Sequence, residues 1–88
     1  MISVDYLFSG TYRGVHVVGT SPCVVCGRPI VEGREAGRLY VHAGGTAVVT
    51  EEEYDIMETV ESGAGLGGWP IGRDCLRKHP ELRPYLSP

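Results

Sequence analysis

Three cysteines are the residues of this chain whose type and spacing point most directly to chemistry. Cys23 and Cys26 form a CxxC motif followed at once by Gly27, and Cys75 comes 49 positions after Cys26. Two thiolates at this spacing can hold one ion from a single tight turn, and a tetrahedral Zn²⁺ needs about four such ligands. An odd number of cysteines and a spacing that is short for a bridge argue against a disulfide framework. The pattern therefore predicts a structural zinc site.

Two other interpretations of the cysteines stay open at this point. A CxxC pair can be a thioredoxin-like redox couple, but the strand and helix pattern that surrounds such a couple is missing here. The cysteines can also be inert. Zinc binding accounts for all three cysteines together and is the interpretation that we favour.

The candidates for the fourth ligand of such a site are the three histidines of the sequence. His79 follows Cys75 by four residues, which places both on one face of a helical turn. His42 lies in a predicted strand, on the same side as Tyr40, and a hairpin behind the CxxC turn would bring it to the metal. His16 has no cysteine near it in sequence and is the weakest candidate.

The number of protein ligands decides whether a zinc site can be catalytic. A site with four protein ligands has no open position for water or substrate, so it is structural. If only the three cysteines bind, water completes the shell and a hydrolytic site becomes conceivable, with Asp74 or Glu32 as the base. Catalytic zinc usually has histidine and carboxylate ligands, whereas the ligands predicted here are mainly cysteines. We therefore expect that the protein is not an enzyme.

The elements that must position these residues begin with two predicted β-hairpins. β-branched and aromatic residues in segments 2–8 and 12–18 flank Ser9-Gly10, which predicts two strands and a short turn. The CxxC turn follows. A second hairpin is predicted for residues 39–43 and 46–49, because Gly44-Gly45 between them can adopt the positive φ angles of a two-residue turn.

Two helices are predicted in the second half of the chain. Thr50 and Glu53 form a capping box, which predicts a helix over residues 51–61. A short helix is predicted for residues 74–78, ended by Pro80 and followed by an extended tail over residues 82–88. Between the helices, residues 63–68 read GAGLGG, the letters of a dinucleotide-binding motif. They follow a helix rather than a strand, so we predict a loop and no nucleotide site.

Length and composition predict one α+β domain over residues 1–88. A domain of 88 residues buries only about 60 to 65% of its surface, so a bound metal would contribute much of its stability. The sequence contains no apolar run long enough to cross a membrane, and its start lacks the features of a signal peptide. Together with reduced thiols, these features predict a cytoplasmic protein.

Charge is distributed unevenly along the chain. The predicted helix carries six of the 11 acidic residues and no basic residue, and the net charge is −3. This balance opposes nonspecific binding to nucleic acid. Near Cys75, however, four basic residues form a small positive patch that could contact phosphate groups of a nucleic acid. They are Arg73, Arg77, Lys78 and Arg83.

Three strings in the sequence carry a resemblance to a known group of proteins. They are CVVCGRPI at residues 23–30, LYVHAGG at 39–45 and GWPIGRDCLRKHP at 68–80. In this respect the chain resembles small zinc-ribbon-like proteins of actinobacterial phages and mobile elements. The resemblance implies bound zinc, a phage or mobile-element origin, and His42 as the fourth ligand beside Cys23, Cys26 and Cys75, with His79 as the alternative.

Together these observations predict a zinc-ribbon-like or treble-clef-like domain with two hairpins, an acidic helix and a short terminal helix. Its expected function is that of a nonenzymatic protein-interaction module, in which the acidic helix or the Trp69 region contacts another protein. The alternative is a nucleic-acid-binding zinc ribbon that acts in transcription or replication control. The sequence does not decide the oligomeric state.

Overall fold

Two antiparallel β-sheets organise the chain. The computed structural model describes residues 1–7, 17–42, 46–60, 63 and 65–87. The strands are β1 (Ile2–Ser3), β2 (Thr20–Pro22), β3 (Pro29–Val31), β4 (Gly37–His42), β5 (Ala47–Val49) and β6 (Gly67–Ile71). The helices are α1 (Glu51–Val60), α2 (Arg73–Lys78) and a 3₁₀ helix (Pro80–Tyr85). One sheet has the order β1-β5-β4-β6 and the other pairs β2 with β3, which confirms the predicted α+β class.

The second predicted hairpin is confirmed. Strands β4 and β5 are antiparallel, with Tyr40 opposite Val49 and His42 opposite Ala47. All three residues of β5 are buried. The predicted Gly44-Gly45 turn lies outside the described residues.

The first predicted hairpin is only partly described. Ile2 and Ser3 form strand β1, but they pair with Val48 and Ala47 of β5. Residues 8–16 lie outside the described residues, and they include most of the predicted second strand and His16. Val17 and Val18, at the end of that predicted strand, are not in a strand.

Strand β6 corrects the prediction of a loop through residue 68. Gly67 and Gly68 belong to a strand that pairs with β4, with Val41 opposite Gly67 and Gly37 opposite Ile71. Glycine and proline have low strand propensity, and here the pairing with the long strand β4 overrides it. Pro70 is tolerated because β6 lies at the edge of its sheet.

Both predicted helices are confirmed, and the predicted extended tail is wrong. The capping box forms as expected: the Glu53 N–H donates to Thr50 Oγ1 (3.1 Å), and the Thr50 N–H donates to Glu53 Oε1 (3.0 Å). Residues 80–85 form a 3₁₀ helix, which begins at Pro80. Leu82 is fully buried in the core, so burial of this side chain explains why the segment turns back onto the domain.

The core joins both sheets to the C-terminal segment. Its fully buried side chains include Leu39, Ile71, Leu82, Val24 and Cys23. The sulfur of Cys23 is therefore part of the core rather than of an exposed loop. No helix within the described residues is both long and apolar enough to cross a membrane.

Candidate metal centre

The CxxC motif lies at the tip of the β2–β3 hairpin. The Cys23 N–H donates to the Arg28 carbonyl (2.9 Å), and the Gly27 N–H donates to the Cys23 carbonyl (2.8 Å). Gly27 has φ of +74°, a conformation that other residues rarely adopt. The turn is therefore closed by its own backbone, and both thiols project from it.

The third cysteine reaches the same place through strand β6. The Val24 N–H donates to the Pro70 carbonyl (2.9 Å), which fixes the CxxC turn against the edge of the large sheet. Two residues later the chain leaves β6 at Gly72 and enters α2, where Cys75 is buried. The Gly72 N–H donates to Cys23 Sγ (3.4 Å). Backbone contacts thus bring two distant segments together at the sulfurs.

The three Sγ atoms form a cluster that could hold a metal ion. They lie within 4.8 Å of one another, and all three cysteines are free. Zn–S bonds of about 2.3 Å in tetrahedral geometry would set sulfurs about 3.8 Å apart, so little movement is needed to close on an ion. The structure therefore brings together the three cysteines that the sequence singled out.

Burial, neighbouring sulfurs and hydrogen bonds shift the pKa values of two of the thiols. Burial, together with the neighbouring Cys26 and Cys23 sulfurs, raises the pKa of the Cys75 thiol to about 12. Burial also acts to raise the pKa of Cys23, but hydrogen bonds from the backbone of Cys26, Gly72 and Val25 outweigh it and place the pKa below 9.0. Sulfurs this close do not all ionise without a cation among them.

The predicted fourth ligand, His42, lies elsewhere. Gly37, at the start of β4, faces Ile71 beside the cysteines, whereas His42 is at the other end of the strand. Five residues of strand span about 16 Å, so the strand carries His42 away from the sulfurs. Its ring is fully buried, with Nε2 3.1 Å from Glu58 Oε1 and the ring centroid 5.8 Å from that of Tyr54. The sequence indicated the strand correctly but not its direction relative to the cysteines.

His79 lies in the wall of the cysteine pocket but outside the sulfur cluster. Its ring stacks on Tyr6, with centroids 3.9 Å apart, and its Nδ1 is 3.8 Å from Glu81 Oε1. No nitrogen of this ring belongs to the group of mutually close ligand atoms. Of the two predicted histidine ligands, His79 is the one near the site.

The three cysteines line a pocket of about 680 Å³. The charged and titratable side chains in its wall are those of Arg28, Arg73, Asp74, Lys78 and His79. Of the two predicted bases, Asp74 lines this pocket, whereas Glu32 lines a separate one with Glu35 and Arg38.

Comparison of the chain with protein-family models, with curated proteins and with solved structures finds no match. The resemblance to phage zinc-ribbon-like proteins therefore stays a prediction.

Two residues of the site were missed in the sequence. Gly72 supplies an N–H to Cys23 Sγ, and Arg28 joins α2 in lining the pocket. The position of Arg28 could have been inferred, because it directly follows the CxxCG turn. The role of Gly72 depends on the pairing of β6 with β4, which the glycine and proline content of that segment concealed.

Proposed function

We propose that this chain is a zinc-binding domain that serves as a protein-interaction module. The observation that carries the metal assignment is the convergence of three thiols, from the CxxC turn and from α2, within 4.8 Å. Thiolates are soft ligands that suit Zn²⁺, whereas Mg²⁺ and Ca²⁺ prefer oxygen. A helix rather than a second turn supplies the third thiol, which favours the treble-clef-like form over the ribbon-like form.

The zinc would act first on folding. It would join the CxxC turn to α2 across about half of the chain, in a domain whose fully buried core is small. Binding of structural zinc contributes apparent free energies of about 10–16 kcal/mol, which exceeds the net stability of most small domains. The metal would then keep the surfaces of the domain in place.

The outer face of α1 is the surface that best supports a protein partner. None of the ten residues of this helix is buried. Ile56 and Val60 lie one turn apart and are 61% and 79% exposed. The acidic residues Glu52 and Asp55 lie on the same exposed side. Apolar residues among acidic ones suit a partner segment that is both basic and apolar.

The Trp69 region is the weaker candidate for this contact. The Trp69 side chain is half-buried in strand β6, and its Nε1–H donates to the Leu66 carbonyl (2.7 Å). Its polar group is therefore already used within the domain, and we assign the partner surface to α1.

Two measurements test the proposal. Elemental analysis of reduced protein should find one zinc ion per chain and no iron. Pull-down from a host lysate with zinc-loaded protein should capture a basic partner that Glu52→Lys loses and that Glu32→Lys keeps. The second variant is a matched control, because Glu32 is an exposed acid outside α1. Equal capture by all three proteins would remove α1 as the partner surface.

Nucleic-acid binding is the second candidate, because Arg73, Arg77 and Lys78 are exposed on α2 and Arg83 is exposed beyond it. Binding that falls steeply with rising salt would support this function, and no binding at low salt would eliminate it.

A further inference from the structure

Within the described residues, the cluster that could hold a metal ion offers three protein ligands, the thiols of Cys23, Cys26 and Cys75. His42 lies at the far end of β4, and His79 is held against Tyr6 and Glu81. A tetrahedral ion with three protein ligands keeps one position for water or for an exogenous ligand.

The pocket that contains the sulfurs is cationic. Arg28 comes from the CxxC turn, and Arg73 and Lys78 come from the two ends of α2. Within the described part of the chain none of these three side chains forms an ion pair. Asp74 is the carboxylate in the pocket wall, and its Oδ1 lies 3.7 Å from Nη1 of Arg77.

These charges favour an anion. Three thiolates on a divalent ion leave one negative charge, which the three cations outnumber even when Asp74 is included. Two arginines from different elements offer forked donors that match the oxygens of a phosphate group, and lysine adds a point charge. Neutral ligands would leave these cations without a partner.

We propose that the ion keeps its fourth position open to this pocket and that the pocket binds a phosphate group beside the metal. This inference rests on the proposed metal site. The phosphate group belongs either to a small molecule or to a nucleic-acid backbone, because both present the same oxygens.

The test is ³¹P NMR with protein in which Co²⁺ replaces zinc. Inorganic phosphate bound beside the paramagnetic ion should show strong line broadening, and the zinc form should show little. Arg28→Gln and Arg73→Gln should each weaken this binding about tenfold, since each removes a charge-assisted hydrogen bond. Arg34→Gln is the matched control, because Arg34 is exposed but does not line the pocket.

A short single-stranded oligonucleotide identifies the source of the phosphate. If the oligonucleotide displaces inorganic phosphate from the wild-type protein but not from Arg73→Gln, the phosphate group belongs to a nucleic-acid backbone. Binding of inorganic phosphate without such competition supports a small molecule. Absence of broadening in cobalt-loaded protein, or an equal loss in Arg34→Gln, overturns the inference.

The fourth position is tested separately with His79→Ala. An unchanged cobalt absorption spectrum and metal affinity support an open position, whereas loss of either shows that His79 closes the site. Protein that binds neither zinc nor cobalt instead refutes the proposed metal site itself.

Discussion

The N–H of Gly72 donates a hydrogen bond to Sγ of Cys23 over 3.4 Å, between residues 49 positions apart. This contact joins the end of strand β6 to the tip of the β2–β3 hairpin. Hydrogen bonds to a sulfur stabilise its thiolate, so the backbone prepares Cys23 to bind a cation. The geometry of the site therefore depends on the pairing of β6 with β4 as well as on the cysteines.

Substitutions of Gly72 test this relationship. Its φ is −76°, which proline and alanine both adopt, and a Cβ there would lie 3.8 Å from Ile30 Cδ1. Gly72→Ala keeps the N–H and should bind zinc normally, with stability raised by up to about 1 kcal/mol. Gly72→Pro removes the N–H and places its ring against the sulfur, so zinc affinity should fall about 10- to 100-fold. Competition with a chromophoric chelator measures both, and equal affinities would contradict the role of the N–H.

Removal of the metal should destabilise the whole domain. Chelator should lower the melting temperature of the wild-type protein strongly, because the binding free energy of a structural zinc ion contributes directly to folding. Cys75→Ala should melt at the temperature of chelated wild type and should show no further change with chelator. Thermal melts of reduced protein, followed by circular dichroism, measure this. A wild-type melt that is indifferent to chelator would contradict a structural metal.

Much of this site could be predicted from the sequence, because cysteine spacing reports ligand chemistry directly. The β4–β5 hairpin and the capping box of α1 were predicted from local patterns, since turn glycines and cap residues act on their neighbours. Strand β6 and the 3₁₀ helix depend on contacts with residues distant in sequence. In addition, the glycine and proline residues of β6 have low strand propensity. The position of His42 could not be predicted for the same reason, because the pairing of β6 with β4 decides which end of β4 lies near Cys75.

His42 should matter for stability and not for metal binding. Its ring is fully buried against Tyr54, and Nε2 lies 3.1 Å from Glu58 Oε1, although the two atoms do not have hydrogen-bond geometry. His42→Ala would leave a cavity and should lower the free energy of unfolding by about 2–4 kcal/mol. Urea unfolding of zinc-loaded protein measures the loss, and elemental analysis should still find one zinc ion. Loss of zinc from folded His42→Ala would instead restore it as a ligand.

The capping box predicts how the stability of α1 responds to acid. The Thr50 N–H holds the pKa of Glu53 below its ordinary 4.5, and the amino group of Met1, 3.2 Å away, lowers it further. A carboxylate with a lowered pKa in the folded state stabilises it above pH 4.5 and loses this contribution as the pH falls through the folded pKa. Glu53→Gln cannot titrate, so its stability should change less over this range than that of the wild type. Thr50→Ala, which removes the cap acceptor, should cost about 0.5–2 kcal/mol at neutral pH. Urea unfolding at a series of pH values measures both effects, and parallel curves for wild type and Glu53→Gln would show that the carboxylate of Glu53 contributes nothing.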